Sequence, residues 1–205
     1  VRGPQWVEKR YIYHNDQPAG NLWYHDHALG ITRLNVWAGL AGFYFIRDDQ
    51  DTGLPDNPLD LPAFPYELAY AIQDRMFRNT GELFYSAYPD DPFYDDFITG
   101  DLPSDLFPGG GPTALAEFFG DHMVVNGKIW PKMDVEPRNY RLRLLNGCDS
   151  RFLAVQFFEV PAGAKDFTTA TGPLPFTVIG SDQGLASSPT TVDTLLIETG
   201  ARYDT

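Results

Sequence analysis

The sequence is poor in cysteine, histidine and positive charge, and it has no long apolar segment. Its single cysteine, Cys148, excludes an internal disulfide and any zinc or iron–sulfur site built mainly from cysteine. No apolar run reaches the roughly 18 residues of a membrane-spanning helix. The 15 Lys and Arg residues are outnumbered by 28 Asp and Glu residues, so the net charge is −13. We therefore expect neither nucleic acid nor an anionic membrane surface as a partner.

The residues that are abundant favour an all-β fold. The chain has 19 Gly and 17 Pro residues between short apolar runs, and 15% of its residues are aromatic, as is typical of strands and turns. No stretch has sustained helical periodicity, and only residues 28–38 are expected to form a short helix or an irregular crossing. The pattern predicts a β-sandwich.

Strands are predicted where apolar residues alternate or cluster between turn residues. Asn126-Gly127 is the clearest signal, because both residues tolerate the positive φ of a two-residue hairpin turn. Residues 140–144 alternate as a half-buried strand does, and residues 79–112 predict a long surface loop. Further strands or strand-like apolar runs are expected at 11–14, 21–27, 39–47, 66–72, 176–179 and 194–198.

Two of the four histidines, His25 and His27, lie two residues apart in a strand-like segment. Alternate side chains of a strand share a face, so the two rings should point the same way, about 6.6 Å apart along the strand. That spacing suits one metal ion or one member each of a close metal pair, and imidazole binds Zn, Cu, Fe and Ni. Trp23 and Tyr24 would shield such a site from water. The alternative is a pair of ordinary surface or core histidines.

The remaining candidates for chemistry are weaker. His14 and His122 each stand alone in the sequence, which is more typical of structural residues. Cys148 has no neighbouring histidine, so we interpret it as a small buried residue rather than a nucleophile or a copper ligand.

Several motifs, in order along the chain, resemble those of one enzyme family. Residues 20–47, GNLWYHDHALGITRLNVWAGLAGFYFIR, resemble the second copper-binding motif of three-domain multicopper oxidases. The likeness is strongest to the branch of bacterial spore-coat laccase, bilirubin oxidase and phenoxazinone synthase. Similarity to the middle domain of that branch continues at residues 125–131, 135–143, 174–185 and 201–204.

The resemblance implies cupredoxin-like Greek-key β-sandwich domains and a copper cofactor. By position, His25 would bind one copper and His27 the other copper of the type 3 pair in a trinuclear cluster. The family couples one-electron oxidation of phenolic, amine or metal-ion donors to four-electron reduction of O2 to water. The implied partners are therefore O2, a small reducing substrate and the remaining domains of the parent protein.

Two family motifs are missing from the sequence. No His-x-His-Gly lies before His25, and Cys148 lacks the flanking histidines of a type 1 copper ligand. We therefore expect the chain to be part of a longer protein. It would hold the end of domain one (1–47), a linker (48–62) and most of domain two (63–205). Such a piece is not expected to turn over alone.

Two other functions remain open at the level of the sequence. One is a non-catalytic β-sandwich scaffold, which predicts no copper in the gene product. The other is a mononuclear zinc enzyme that uses His25 and His27 together with a third ligand, such as His14, His122 or a carboxylate. The family resemblance implies a periplasmic, extracellular or spore-associated location, although the sequence shows no targeting segment.

Overall fold

The computed structural model describes residues 11–85 and 117–205. Within these ranges the chain forms strands and one short helix, so the prediction of an all-β fold is confirmed. In chain order the elements are β1 (Gly20–His25), α1 (Thr32–Trp37), β2 (Ala41–Ile46), β3 (Glu67–Phe77), β4 (Leu83–Phe84), β5 (His122–Val125), β6 (Lys128–Ile129), β7 (Arg141–Asn146), β8 (Leu153–Val155), β9 (Phe157–Glu159), β10 (Thr171–Leu174), β11 (Phe176–Ser181), β12 (Gly184–Val192), β13 (Leu195–Ile197) and β14 (Arg202–Asp204). In the described ranges no helix has the length and apolarity needed to cross a membrane.

The largest sheet has eight strands in the order β12-β11-β14-β7-β3-β5-β6, and β4 pairs with one end of β3. Its neighbours are antiparallel except β3 and β7, which run parallel from the Glu67–Arg141 pair to the Ile72–Asn146 pair. Strands β8 and β13 form a two-stranded sheet whose apolar side chains share one buried cluster with residues of the large sheet. The buried members of this core are Leu144, Cys148, Leu153, Leu195 and Ile197. Two packed layers of this kind are what the sandwich prediction requires.

The predicted hairpin at Asn126-Gly127 is confirmed. Both residues have positive φ, 49° and 82°, and they join β5 to β6. The Asn126 side chain also accepts a hydrogen bond from the Ala71 amide and donates one to the Ala69 carbonyl of β3. The turn therefore fixes the hairpin to the strand beside it.

Two strand predictions need correction. Residues 11–14 form no strand, and the side chains of Tyr11, Ile12 and Tyr13 are exposed instead of being paired across a sheet. The return strand predicted at 21–27 ends at His25, because its hydrogen-bonded partner β2 begins at Ala41, opposite His25. Of the long loop predicted at 79–112, residues 79–85 contain β4, and residues 86–112 lie outside the described part of the chain.

The β1–β2 pair is a separate two-stranded sheet that is fastened to the large sheet through β14. The Asn21 side-chain amide donates to the Tyr203 carbonyl at 3.3 Å, and Arg202 Nε donates to the Asn21 carbonyl at 3.0 Å. Gly184 allows close approach at the same place, because a Cβ there would lie 2.5 Å from the Ala19 carbonyl oxygen. These contacts fix the start of the strand that carries His25.

The polar face of β7 is buried in a network of ion pairs, although its alternation had predicted a half-buried strand. Arg141 and Arg143 are only 2% and 1% exposed. Arg141 makes paired hydrogen bonds to Asp51 and to Asp204, and Arg143 reaches Asp51, Asp204 and Glu67. Arg47 adds a third cation against Asp51 and Glu67. Three cations thus face three carboxylates, and this balance of charge makes the burial tolerable.

Candidate metal centre

The histidine pair lies where β1 ends and the chain turns towards α1. The rings of His25 and His27 are neighbours, with centroids 4.5 Å apart and planes tilted by 41°. Since His27 lies beyond the last residue of β1, its approach to His25 comes from the turn and not from strand alternation alone. His25 is half-buried and His27 is exposed.

Trp23 covers the His25 ring, as the sequence had suggested. Its ring centroid lies 4.3 Å from that of His25, so the three side chains Trp23, His25 and His27 form a row. Tyr24 does not take part, because it is 60% exposed and its ring lies against Gly42 of β2. The shield against water that the sequence predicted from both aromatic residues is therefore formed by Trp23 alone.

One hydrogen bond determines which His25 nitrogen can accept a metal ion. Nδ1 lies 2.7 Å from the carbonyl oxygen of Asp26. A carbonyl can only accept, so Nδ1 carries the proton and the lone pair is on Nε2. Metal-binding histidines are commonly oriented in this way by a bond from the second ring nitrogen.

The Asp26 carboxylate serves the turn that joins the pair to α1. Its Oδ2 accepts a hydrogen bond from the Ala28 amide at 2.8 Å. This bond lowers the pKa of Asp26, and the nearby Asn35 amide and His25 ring act in the same direction. Asp26 therefore stabilises the turn between His25 and α1 through this hydrogen bond.

The other candidates of the sequence do not join the histidine pair. His14 lines a surface cavity with Trp23 and Tyr44, and His122 pairs with Asp121 and packs edge-on against Phe77. Cys148 is 5% exposed, and burial raises the pKa of its thiol, so it fits the predicted role of a small core residue. Across residues 11–85 and 117–205, no group of three or more His, Cys, Asp or Glu side chains is arranged to hold a metal ion.

The residues present fit copper as a partial ligand set. Copper accepts neutral imidazole readily, and His25 presents the tautomer with a free Nε2. The pair alone is too small for a closed site, so any further ligands would come from outside the described residues. The zinc alternative lacks the third ligand it needs among those same residues.

Comparison with known proteins connects this geometry to one family. A family model described as multicopper oxidase matches residues 4–51, the segment that contains the histidine pair. The chain is 37% identical over 202 residues to a laccase from Bacillus stratosphericus. The alignment covers 98% of this chain and 34% of the laccase. A laccase from Bacillus subtilis is 34% identical over the same length, and the alignment covers 33% of that laccase.

The fold agrees with these sequence matches. The crystal structure of the McoA multicopper oxidase from Aquifex aeolicus superposes with a TM-score of 0.63 at 28% identity, covering 92% of this chain and 33% of McoA. The chain thus spans about one third of the length of its curated relatives. The family model over the histidine pair, the laccase similarity along nearly the whole chain and the shared cupredoxin-like fold together show that the chain is similar to about one third of a multicopper oxidase.

Proposed function

We propose that this chain supplies two ligands of a type 3 copper pair in a laccase-like multicopper oxidase, His25 to one copper and His27 to the other. The observation that carries the proposal is the 4.5 Å separation of the two imidazole rings. Rings this close can each hold one ion of a close metal pair. The hydrogen bond from His25 Nδ1 to Asp26, which leaves Nε2 as the ligand atom, supports the same assignment.

The chain's own residues would orient and cover this centre. The Asp26 carbonyl holds the His25 ring in one tautomer and one orientation, and Trp23 excludes water from one face of that ring. His27 is exposed, so further copper ligands from the rest of the protein could be placed beside it. Copper bound here would supply the one-electron steps that couple oxidation of phenolic, amine or metal-ion donors to the reduction of O2 to water.

The domain division predicted from the sequence is part of the proposal. Residues 1–47 would belong to a first cupredoxin domain, 48–62 would link it to a second, and 63–205 would form most of that second domain. The separate β1–β2 sheet and the larger sheet that begins with β3 support this division. The remaining domains would bring the other copper ligands and the site where electrons enter, so this chain alone should be inactive.

Oxygen uptake tests the proposal. The complete, copper-loaded gene product should consume one O2 for every four electrons taken from a phenolic donor and should release no hydrogen peroxide. The matched control is the 205-residue chain alone, loaded with copper and given the same donor in an oxygen electrode. We expect no O2 uptake in this control.

Two results would contradict the proposal. One is oxidation of the donor by the 205-residue chain alone. The other is a complete gene product that retains no copper and consumes no O2 with a phenol, an aromatic amine or ferrous ion. The second result would favour a scaffold role for the β-sandwich.

A further inference from the structure

Hydrogen bonds of Ala28 connect the histidine pair to the start of helix α1. The Ala28 amide donates to Asp26, and the Ala28 carbonyl accepts from the Ile31 amide, the Thr32 amide and the Thr32 hydroxyl at 3.0–3.1 Å. The position of α1 is therefore transmitted to the turn that contains His25 and His27 by hydrogen bonds.

Helix α1 has little to stabilise it from within. It is six residues long, its N-terminus has no side-chain cap, and it has no acidic residue in its first turn and no basic residue in its last. Helices this short are unstable in isolation, and their position is fixed by what they pack against. The neighbours of α1 therefore decide where the histidine turn lies.

One group of neighbours is aromatic. The rings of Tyr85 and Phe118 stack on each other at 4.8 Å, and Trp37 of α1 packs edge-on against both, at 5.2 and 6.1 Å. Tyr85 and Phe118 are 7% and 2% exposed, so Trp37 on the apolar face of the helix packs against buried aromatic rings. This packing anchors α1 through Trp37.

Two side chains of β3, Gln73 and Arg75, lie against the end of α1. Gln73 Nε2 donates to the Val36 carbonyl at the end of α1, at 3.0 Å, and to the Gly147 carbonyl after β7, at 3.1 Å. Arg75 donates to Gln73 Oε1 at 2.7 Å, which fixes the orientation of the amide. Both hydrogens of the Gln73 amide and its oxygen are thus engaged.

The Arg75 guanidinium also lies under the chain that leaves α1. Gly39 has φ of 101°, and a Cβ at that position would be 3.3 Å from Arg75 Nη2. A cation near the carbonyl end of a helix is stabilising, because the last carbonyls carry partial negative charge. Gln73 and Arg75 together form a polar clamp on the end of α1, and both are held by the eight-stranded sheet.

From this arrangement we infer that Gln73 and Arg75 are positioning residues for the copper centre. They fix α1 from the large sheet, and α1 in turn fixes the spacing and orientation of His25 and His27 through Ala28. Neither residue touches the metal. The inference rests on the proposed function, since it assumes that the histidine pair binds copper.

The test compares copper retention in Gln73→Met and wild-type forms of the complete gene product. Methionine has a similar length but cannot donate to Val36 or Gly147. We expect copper release to a chelator to become about tenfold faster, at the low end of the range for residues that orient metal ligands. The Cu(II) EPR signal per copper should rise, because two ions that move apart lose magnetic coupling. Gln156→Met is the matched control, since Gln156 is exposed and bonds only Thr194 among its described contacts.

A second pair of variants decides the case if Gln73→Met does not fold. Arg75→Met should speed copper release, and Arg75→Lys, which keeps the cation, should restore part of the wild-type retention. The inference would be overturned if the clamp variants released copper at the same rate, and gave the same EPR signal, as Gln156→Met and wild type. The proposed function would then remain intact. A wild-type protein that binds no copper at His25 and His27 would instead overturn the proposed function.

Discussion

Replacing His25 or His27 with alanine should reduce O2 consumption by the complete gene product at least about 100-fold. Replacing residues that only orient metal ligands already lowers metal affinity or activity by up to that factor. Each substitution removes an imidazole from a pair whose rings are 4.5 Å apart, and no third side chain in the described ranges is placed to replace it. Copper content, measured on the same samples, should fall with the activity.

His122→Ala is the matched control for these two variants. His122 is also a half-buried histidine near a strand end, but its contacts are with Asp121 and Phe77. This variant should keep wild-type copper and activity. If His25→Ala and His27→Ala behaved like His122→Ala, the histidine pair would not be a copper site.

Replacing Asp51 with asparagine should lower the free energy of unfolding by about 3–5 kcal/mol, the usual cost of removing one partner from a buried ion-pair network. The Asp51 carboxylate is 1% exposed and accepts hydrogen bonds from Arg47, Arg141 and Arg143. Asparagine has nearly the same shape but leaves an excess positive charge in a buried place. Urea unfolding of the 205-residue chain, followed by tryptophan fluorescence, measures the difference.

The pH dependence of unfolding gives a second readout for the same residue. Burial alone would raise the pKa of Asp51, but Arg141, Arg143 and Arg47 lower it from 3.8 to about 2. The folded state therefore holds this proton less tightly than the unfolded state. The resulting stabilisation, about 2 kcal/mol, is present above pH 4 and is lost as the pH falls to about 2.

The Asp51→Asn variant should lack this part of the acid-induced loss of stability. Asp49→Asn is the matched control, because Asp49 is an exposed carboxylate two residues away and should change stability by less than about 0.5 kcal/mol. A similarly small change in Asp51→Asn would show that the ion-pair network contributes little to folding.

Local signals in the sequence predicted the parts of the fold that depend on few residues. The Asn126-Gly127 hairpin is determined by two residues that tolerate positive φ, and β2 by a run of aromatic residues. Strand β12 could not be found in this way, because its sequence GLASSPTTV is mostly polar and exposed and is held by pairing with β11. Strand β10 contains Gly172 and Pro173, which are more typical of a turn.

The burial of charge was outside the reach of local patterns. Alternation in β7 placed Arg141 and Arg143 on a polar face, which is normally solvated. Their partners Asp51 and Asp204 are distant in the sequence, so only the folded chain reveals that this face is buried. For the same reason nothing in residues 48–62, the predicted linker, indicated that Asp51 is an internal counter-ion.

The candidate site was predicted in part. His25 and His27 were found from their spacing, and the family resemblance implied that the metal they bind is copper. The clamp of Gln73 and Arg75 on α1 had no sequence signal, because it joins a strand to a helix more than 30 residues away through side-chain bonds. Contacts of this kind are determined by the tertiary fold.

X-ray diffraction at the copper absorption edge, on crystals of the complete copper-loaded gene product, is the most direct test of the central claim. The account predicts two anomalous peaks, one at bonding distance from His25 Nε2 and one at bonding distance from a ring nitrogen of His27. Absence of copper at both rings would contradict it, as would a single zinc ion bound by both histidines.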